Sequence, residues 1–582
     1  MKNLLSLICI MLLLKAPAQQ KSMFTQSKHL YAELPNPVAI NKEEWAALEK
    51  DVTVSFTNSN TRYAKEKVPQ LSRQTNWNAI AWKGEKIHTQ LLVFTKKNIP
   101  RLTCRVSDLV ADKGSRIKAQ QVKVGFMRYV MTDEFRDGCG YRKPADFDSS
   151  LVADVIDIVP AIGVAENTVQ PIWLSIQVPS DIIAGKYSGY ITILADKQYT
   201  LAVNLTVSSR VLPPPGKWKF DLDFWQHPVA IARMHKVKLW SKEHYDIMRP
   251  YYTMLANAGQ KKITASIINE PWNHQTYDDF PSLVKWIKKN DGSWRYDYSL
   301  FDTYVSFVMS CGIRKQINCY TMIPWKLSFQ YYDETFAKDT VLIAKPGSPE
   351  YNSFWGTMLK DFAKHLKIKG WFVKTAISMD ERPMKDMQAV IALLKSIDTG
   401  WKITMAGDYH PEIEKDIYDY CIASARQFEA PALAERKALG KPSTFYTCCA
   451  EPYPNGFTFS FPAEHVWIGW YAAAKGFDGY LRWAYNSWVK DPLQDSRFTA
   501  WPAGDTYQVY PGPRSSVRFE KLIEGIQDFE KIRMIRDEFV RAGKAENLKQ
   551  LEAALVSFEI PTLKNTPAAE MVDAARAILN QY

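Results

Sequence analysis

The sequence lacks several features that would have fixed a function class at once. Beyond residue 14, no window of its 582 residues approaches the roughly 20 uninterrupted apolar residues of a bilayer-spanning helix, so no membrane span is expected. No C-x-x-C pair and no H-E-x-x-H helix occurs, which removes the usual supports for zinc; no metal is expected. The net charge is +12, but the lysines are scattered instead of massed in blocks, and a merely basic surface selects no nucleic acid. Internal repeats and low-complexity tracts are also missing.

Cysteine is sparse. Setting aside Cys9, which lies in an apolar leader without the small residues of a lipid-attachment site, seven remain: Cys104, Cys139, Cys311, Cys319, Cys421, Cys448 and Cys449. An odd, dispersed set excludes a disulfide scaffold; most are expected to be buried small apolar residues, with room for one bridge.

The one apolar stretch, residues 4–14, follows Lys2 and precedes Ala16-Pro17-Ala18. Residues 1–18 therefore read as a signal peptide, with the mature chain beginning near Gln19 and exported, by expectation to a bacterial periplasm. The remaining length exceeds what one core usually organises, so two or more domains are expected. Tryptophan and tyrosine are abundant, at 19 and 29 residues, and flat sugar faces stack on such rings.

Residues 19–213 alternate apolar and polar side chains in short runs separated by Pro, Gly, Asp and Ser, as in 88–95, 170–178, 189–195 and 199–207. That period of two predicts an N-terminal antiparallel β-sandwich. Pro213-Pro214-Pro215-Gly216 is a stiff linker, and a new texture follows it. Eight apolar runs of strand length, at 219–225, 262–268, 317–322, 373–379, 402–406, 420–424, 443–448 and 479–485, alternate with amphipathic helical stretches at 241–258, 300–310, 353–366, 384–397 and 462–474. Eight strands close a (β/α)8 TIM-type barrel, placed at 214–514. No glycine-rich phosphate loop follows the first run, so a doubly wound nucleotide fold has no support. Residues 515–582 read as helices over 515–526, 529–542, 545–558 and 567–579, packing on the barrel.

In such a barrel the reacting groups sit on loops that follow the strands. The first strand delivers Asp223, Trp225 and His227; the second Glu270 and Trp272; the third Asn318, Tyr320 and Trp325. Asp380 and Glu381 end the fourth, His410 follows the fifth, Tyr446 the seventh, and Trp483, Tyr485, Asn486 and Trp488 the eighth. The adjacent pair stands out. Each carboxylate disfavours ionisation of the other, so one of them is suited to remain protonated and act as a general acid. The competing structural reading is a helix cap, because residues 384–397 follow directly. Glu270 is the rival acid. Trp225, Trp325, Trp483 and Trp488 are candidate sugar platforms, and His227, Asn318, Tyr320, Tyr446, Tyr485 and Asn486 are candidate substrate contacts.

The pair Asp380-Glu381 after a strand, the string Gly479-Tyr-Leu-Arg-Trp-Ala-Tyr-Asn-Ser-Trp-Val-Lys-Asp-Pro492, and Gly504-Asp-Thr-Tyr-Gln-Val-Tyr-Pro-Gly512 followed by Ser516-Val-Arg-Phe-Glu520 and Gly525-Ile-Gln-Asp-Phe-Glu530 resemble glycoside hydrolase family 123. The resemblance extends to Gly185-Lys-Tyr-Ser-Gly189 and Phe220-Asp-Leu-Asp-Phe-Trp225. It implies an exo-β-N-acetylgalactosaminidase without a cofactor, acting on glycans or glycolipid headgroups with terminal β-linked GalNAc. It also implies a retaining mechanism in which the substrate's 2-acetamido oxygen is the nucleophile and an oxazolinium ion the intermediate. Glu381 would be the acid and then the base, Asp380 the partner of the acetamido N–H, and Tyr446 or Tyr485 the partner of its oxygen. The alternatives are a β-N-acetylglucosaminidase or other exo-glycosidase, an ordinary two-carboxylate hydrolase using Glu270, and a secreted glycan-binding protein on a degenerate barrel.

Overall fold

The computed structural model describes residues 31–136 and 138–582; the signal-peptide segment at 1–18 and the expected new terminus near Gln19 lie outside them. Two sheets form the N-terminal part. Strands Val52–Thr57, Lys86–Thr95, Thr168–Gln177, Val122–Thr132 and Ser150–Asp157 lie side by side in one, and Asn76–Lys83, Gln198–Val211, Gly185–Leu194 and Ile99–Val106 in the other. Their alternate residues meet in one core, where Val54, Leu91, Val93, Ile172 and Leu174 face Tyr187, Ile191, Ile193, Leu201 and Val203. Burying both inner faces is what makes this a sandwich. It departs from the expected wholly antiparallel form at one edge, where Asn76–Lys83 runs parallel to Gln198–Val211. The long excursion between those strands supplies the crossover that a parallel pair needs.

All eight runs expected in the barrel are strands: Asp221–Phe224, Lys262–Ser266, Gln316–Tyr320, Thr375–Asp380, Lys402–Gly407, Asp419–Ala423, Ser443–Tyr446 and Gly479–Arg482. They pair in parallel around the ring, the first strand lying against the eighth. The remaining seam, between the first and second strands, carries a single bridge from Leu222 to Gln260. Two glutamine side chains stitch it further: Gln260 Oε1 accepts from Phe224 N at 2.9 Å and Gln226 Oε1 from Thr264 N at 2.9 Å. The barrel is thus nearly closed, with side-chain amides standing in for part of a ladder.

Outward residues such as Phe224, Ile263, Ile317, Ile377, Ile403 and Ile422 are buried under the helices. The inward face differs from the branched aliphatic layers usual in such barrels. Lys262 of the second strand pairs with Asp419 of the sixth at 2.6 Å and with Asp221 of the first at 3.2 Å, and Gln316 of the third donates to Asp419 at 2.8 Å. The second, third and sixth strands are not all neighbours, so these groups meet inside the ring.

Four features were not placed by the sequence. A four-stranded sheet, Trp294–Asp297, Lys285–Lys288, Ser328–Asp333 and Lys338–Ile343, grows from the loops after the second and third strands, and Trp286 stacks on Phe354 of the helix Pro349–Ile368. Residues 515–516 form a short strand on the sandwich, antiparallel to Val155 and Ile156. The two helices expected at 515–526 and 529–542 are one continuous helix, Val517–Arg541. Gly525 inside it marks no break: a Cβ there would strike the carbonyl of Val466, and one on Gly469 would strike Gly525 itself, so these glycines let two helices cross in backbone contact. Finally, a disulfide joins Cys139 to Cys449 across 310 residues of sequence, tying the N-terminal part to the loop after the seventh barrel strand. Among the described residues no helix is long and apolar enough to cross a membrane.

Candidate active site

The fourth strand is buried until its last residue, Asp380, and Glu381 follows at once. Neither carboxylate caps the next helix: the N-cap of Met384–Ile397 is Pro383, and the acid in its first turn is Asp386. The pair is therefore left for the barrel mouth.

The two side chains have different surroundings. Asp380 Oδ2 accepts from the indole N–H of Trp325 at 2.9 Å, and Oδ1 pairs with Arg382 at 2.7 Å. The Arg382 guanidinium also lies 4.2 Å from the Trp325 ring centroid, and its Nε donates to the Ile323 carbonyl at 2.8 Å, so the cation is held over one ring and at one edge. Burial raises the Asp380 pKa, while the Arg382 charge and the Trp325 hydrogen bond pull it down. Glu381 is exposed, and its Oε1 accepts from the Tyr446 hydroxyl at 2.7 Å. Burial, then the Glu381 charge, push the Tyr446 pKa far up, which keeps that hydroxyl a donor. Gly407, on the neighbouring fifth strand, makes the space: a Cβ there would come within 2.7 Å of Glu381 Cγ.

Both carboxylates border one aromatic cup. Trp225 stacks on Trp272 with centroids 5.1 Å apart, Tyr320 lies 4.7 Å from Trp225, and Phe280 meets Trp272 edge-on at 4.7 Å. Tyr446 and Trp483 pack against the same cluster, and the Asp380 charge contributes to the raised pKa of Tyr320. The indole nitrogens of Trp225 and Trp272 are buried without a hydrogen-bond partner among the described residues, leaving two donors unspent at the cup.

Other candidate residues turn out to support the site from behind or to lie elsewhere. His227 is buried against Phe280, and burial pushes its pKa down to about 3, so the ring is neutral. Asn486 bonds both the main-chain N–H and the carbonyl of His227, at 3.0 and 2.9 Å, and so ties the first loop to the eighth. Trp483 donates to Asp505 at 3.1 Å, and Asp505 is itself held by the fully buried Arg482 at 2.7 Å.

Four candidates make other contacts. Glu270 accepts from the main-chain N–H groups of Phe280 and His274, so it braces its own loop, and its backbone φ of 49° sets that turn. Its neighbour His274 is already bonded to Asp279 at 2.9 Å, so the trio reads as a loop clasp. Asn318 lies within the barrel, donating to Asp223 at 3.3 Å. Tyr485 donates to the Tyr251 carbonyl at 3.0 Å between Phe224 and Phe519, in the core and not at the cup. Trp488 is likewise a core residue, its N–H on the Val509 carbonyl at 2.6 Å.

Sequence reasoning passed over Arg382, Gly407 and Asp505. Gly407 carried a usable signal, since a glycine ending an apolar strand marks a close approach; Arg382 had none beyond its place after a strand, and Asp505 none beyond its place in the string 504–512.

The family description "Glycoside hydrolase 123, catalytic domain" matches residues 225–535, and "Glycoside hydrolase 123 N-terminal domain" matches 56–195. Among solved structures, a family 123 glycoside hydrolase from Clostridium perfringens, analysed for glycolipid glycan hydrolysis, is 28% identical and superposes with a TM-score of 0.83 over 91% of this chain and 97% of its own. A family 39 glycoside hydrolase from Bacteroides cellulosilyticus WH2 aligns over 77% of this chain and 81% of its own at 11% identity, with a TM-score of 0.33. No curated protein matches the sequence. The catalytic-domain match alone spans more than half of the chain and contains the carboxylate pair and its cup, so the chain belongs to glycoside hydrolase family 123 and is a glycosidase.

Proposed function

We propose that the enzyme is a retaining exo-β-N-acetylgalactosaminidase, removing terminal β-linked GalNAc from glycans or glycolipid headgroups by substrate-assisted catalysis. The observation that carries this reading is the unequal treatment of two adjacent carboxylates. Asp380 is half-buried and charge-paired, whereas Glu381 is exposed beside a tyrosine donor.

In this scheme Asp380 accepts the acetamido N–H. A carboxylate has about four lone-pair sites, and Trp325 and Arg382 use only some of them. Freezing the acetamido group gives its oxygen a high effective concentration at the anomeric carbon, and the Asp380 charge offsets the positive charge that grows as the oxazolinium ring closes. Glu381 protonates the departing oxygen, then takes a proton from the water that opens the ring, returning the β-anomer. Tyr446 holds Glu381 in place between these roles. The half-buried ring of Trp483, at the edge of the buried aromatic cluster, receives the apolar face of the sugar. The glycolipid preference draws on the Clostridium perfringens relative, and the export of the chain on the expected signal peptide.

The test is release of p-nitrophenol from the β-GalNAc glycoside by wild type, Glu381→Gln and Asp380→Asn, with the β-GlcNAc glycoside as comparator. Loss in both variants and a GalNAc preference are expected, together with inhibition by GalNAc-thiazoline. Full activity in either variant refutes the assignment of that residue. Equal rates on the two aryl glycosides refute the GalNAc specificity.

A further inference from the structure

We propose that the disulfide tying the N-terminal part to the catalytic barrel carries its own exchange partner: the thiol of Cys448 replaces Cys449 in the bond to Cys139, so the tie has two attachment points one residue apart. The sulfur atoms of Cys139, Cys448 and Cys449 all lie within 4.8 Å of one another, although only Cys139 and Cys449 are bonded. The other free cysteines among the described residues, Cys104, Cys311, Cys319 and Cys421, do not belong to this group.

Neighbouring residues do not bring their side chains together by default. On an extended chain they point to opposite faces. Here the seventh barrel strand ends at Tyr446 and the chain turns at Cys449 and Ala450, which brings both sulfurs to one side. The loop holds this shape from within: Glu451 Oε2 accepts from Cys448 N at 2.9 Å, and Asn455 Nδ2 donates to the carbonyls of Cys448 and Glu451 at 2.7 and 2.6 Å. Facing it, Cys139 is exposed between Gly138 and Gly140, whose φ angles are 73° and 130°. Gly138 lies directly on the loop, since a Cβ there would come within 2.8 Å of the Cys449 carbonyl oxygen. Glycine on both sides lets the backbone at Cys139 re-aim its sulfur while the loop stays in place.

The exchange balances without an outside oxidant. The Cys448 thiolate attacks Cys139 Sγ, the bond from Cys139 to Cys449 breaks, and Cys449 leaves as a thiolate that takes up a proton in place of the one Cys448 released; one thiol and one disulfide stand on each side. The two bonds close loops of almost the same length, so chain entropy hardly separates them and local fit decides. Burial, then the Glu451 charge, raises the Cys448 pKa, and Asp505 and Tyr446 also face that thiol, so at neutral pH it is protonated and the exchange is slow. Tyr446, the partner of Glu381, lies two residues before Cys448, so the attachment point shifts along the segment that follows it.

The experiment locates the thiol. Wild-type enzyme is held at about pH 9, where a larger share of the thiol is ionised, without added thiol or oxidant. It is then quenched and unfolded in acid, labelled with N-ethylmaleimide, digested with pepsin and fragmented in a mass spectrometer. Label is expected on both Cys448 and Cys449, and none on Cys139. In Cys449→Ser the bond should run from Cys139 to Cys448, and in Cys448→Ser from Cys139 to Cys449. The double variant, Cys448→Ser with Cys449→Ser, leaves Cys139 without a partner and should melt with Cys139→Ser, several degrees below either of the other single variants. The proposal is overturned by wild-type label confined to Cys448, by wild-type label on Cys139, which would mean that the neighbouring cysteines pair with each other, by a labelled Cys139 in Cys449→Ser, or by a double variant as stable as Cys449→Ser. The wild-type measurement needs no substitution, so a variant that fails to fold leaves the test intact.

Discussion

Arg382 should set the acid limb of the pH–rate profile. Its guanidinium sits 2.7 Å from Asp380 Oδ1, and the two side chains are only 7% and 16% exposed, so water screens the pair weakly. Burial pushes the Asp380 carboxyl up, and the Arg382 charge is the main influence pulling it down. The proposed mechanism needs Asp380 ionised, so activity falls as pH drops through that pKa. An opposite charge at this range lowers a carboxyl by about 1–3 pH units, each worth about 1.4 kcal/mol. In Arg382→Met that support is gone and burial acts alone, so the Asp380 pKa rises and the acid limb of kcat/KM moves up by about 1–3 units. Arg382→Lys is the control: it keeps the charge but loses the planar stack on Trp325, and should lower kcat with a smaller shift of the limb. Initial rates on the aryl β-GalNAc glycoside across pH, with circular dichroism to confirm folding, provide the measurement. A folded Met variant with an unmoved acid limb would refute both the role of Arg382 and the assignment of the limb to Asp380.

Gly407→Ala places a methyl 2.7 Å from Glu381 Cγ and should reduce kcat by about 100-fold, with little change in thermal midpoint, since displacing a reacting group by about 1 Å has that scale of effect. Lys262→Met leaves Asp221, Asp223 and Asp419 facing each other inside the barrel, and urea titration should show a loss of about 3–5 kcal/mol. That loss should be smaller at acid pH. Burial, with Asp419 and Asp221 nearby, already places Asp223 at about 7, and without the Lys262 charge its pKa climbs further, so the variant is penalised increasingly as pH rises through neutrality. Cys139→Ser opens the tie between the N-terminal part and the loop after the seventh strand, and should lower stability by about 2–4 kcal/mol in the same titration under oxidising conditions.

The barrel strands were legible because each outward row is a run of Ile, Val, Met or Phe that must be buried under helices, and such runs survive without knowledge of their partners. The interior was not. Asp221, Lys262 and Asn318 look like interruptions of those runs, and only the ring brings them together. Alternation likewise says which residues of Asn76–Lys83 face inward but not which way its neighbour runs, so the parallel edge of the sandwich was hidden. At the site, Asp380 and Glu381 announced themselves by following a buried strand. The aromatics around them did not sort themselves: Trp225 enters the cup while Tyr485 and Trp488 enter the core. Loops after strands abandon the period of two, which is the one signal that tells inside from outside.

The aromatic cup does more than border the two carboxylates. Below it lies a barrel interior in which Lys262 answers three carboxylates, and above it stands Asp380 with its own cation. Were water continuous between these layers, Asp380 would be screened from Arg382 and hydrated like a surface acid, and the difference between the two neighbouring carboxylates would shrink. Trp225, Trp272, Tyr320 and Phe280 instead fill the ring with apolar matter, all but fully buried. Low local polarisability strengthens the Arg382 contact and leaves the Trp325 N–H as one of the few groups able to solvate the Asp380 charge. The asymmetry of the pair therefore depends on side chains that need touch no substrate: shrinking Trp272 to alanine would admit water beneath Asp380 and draw its properties toward those of exposed Glu381.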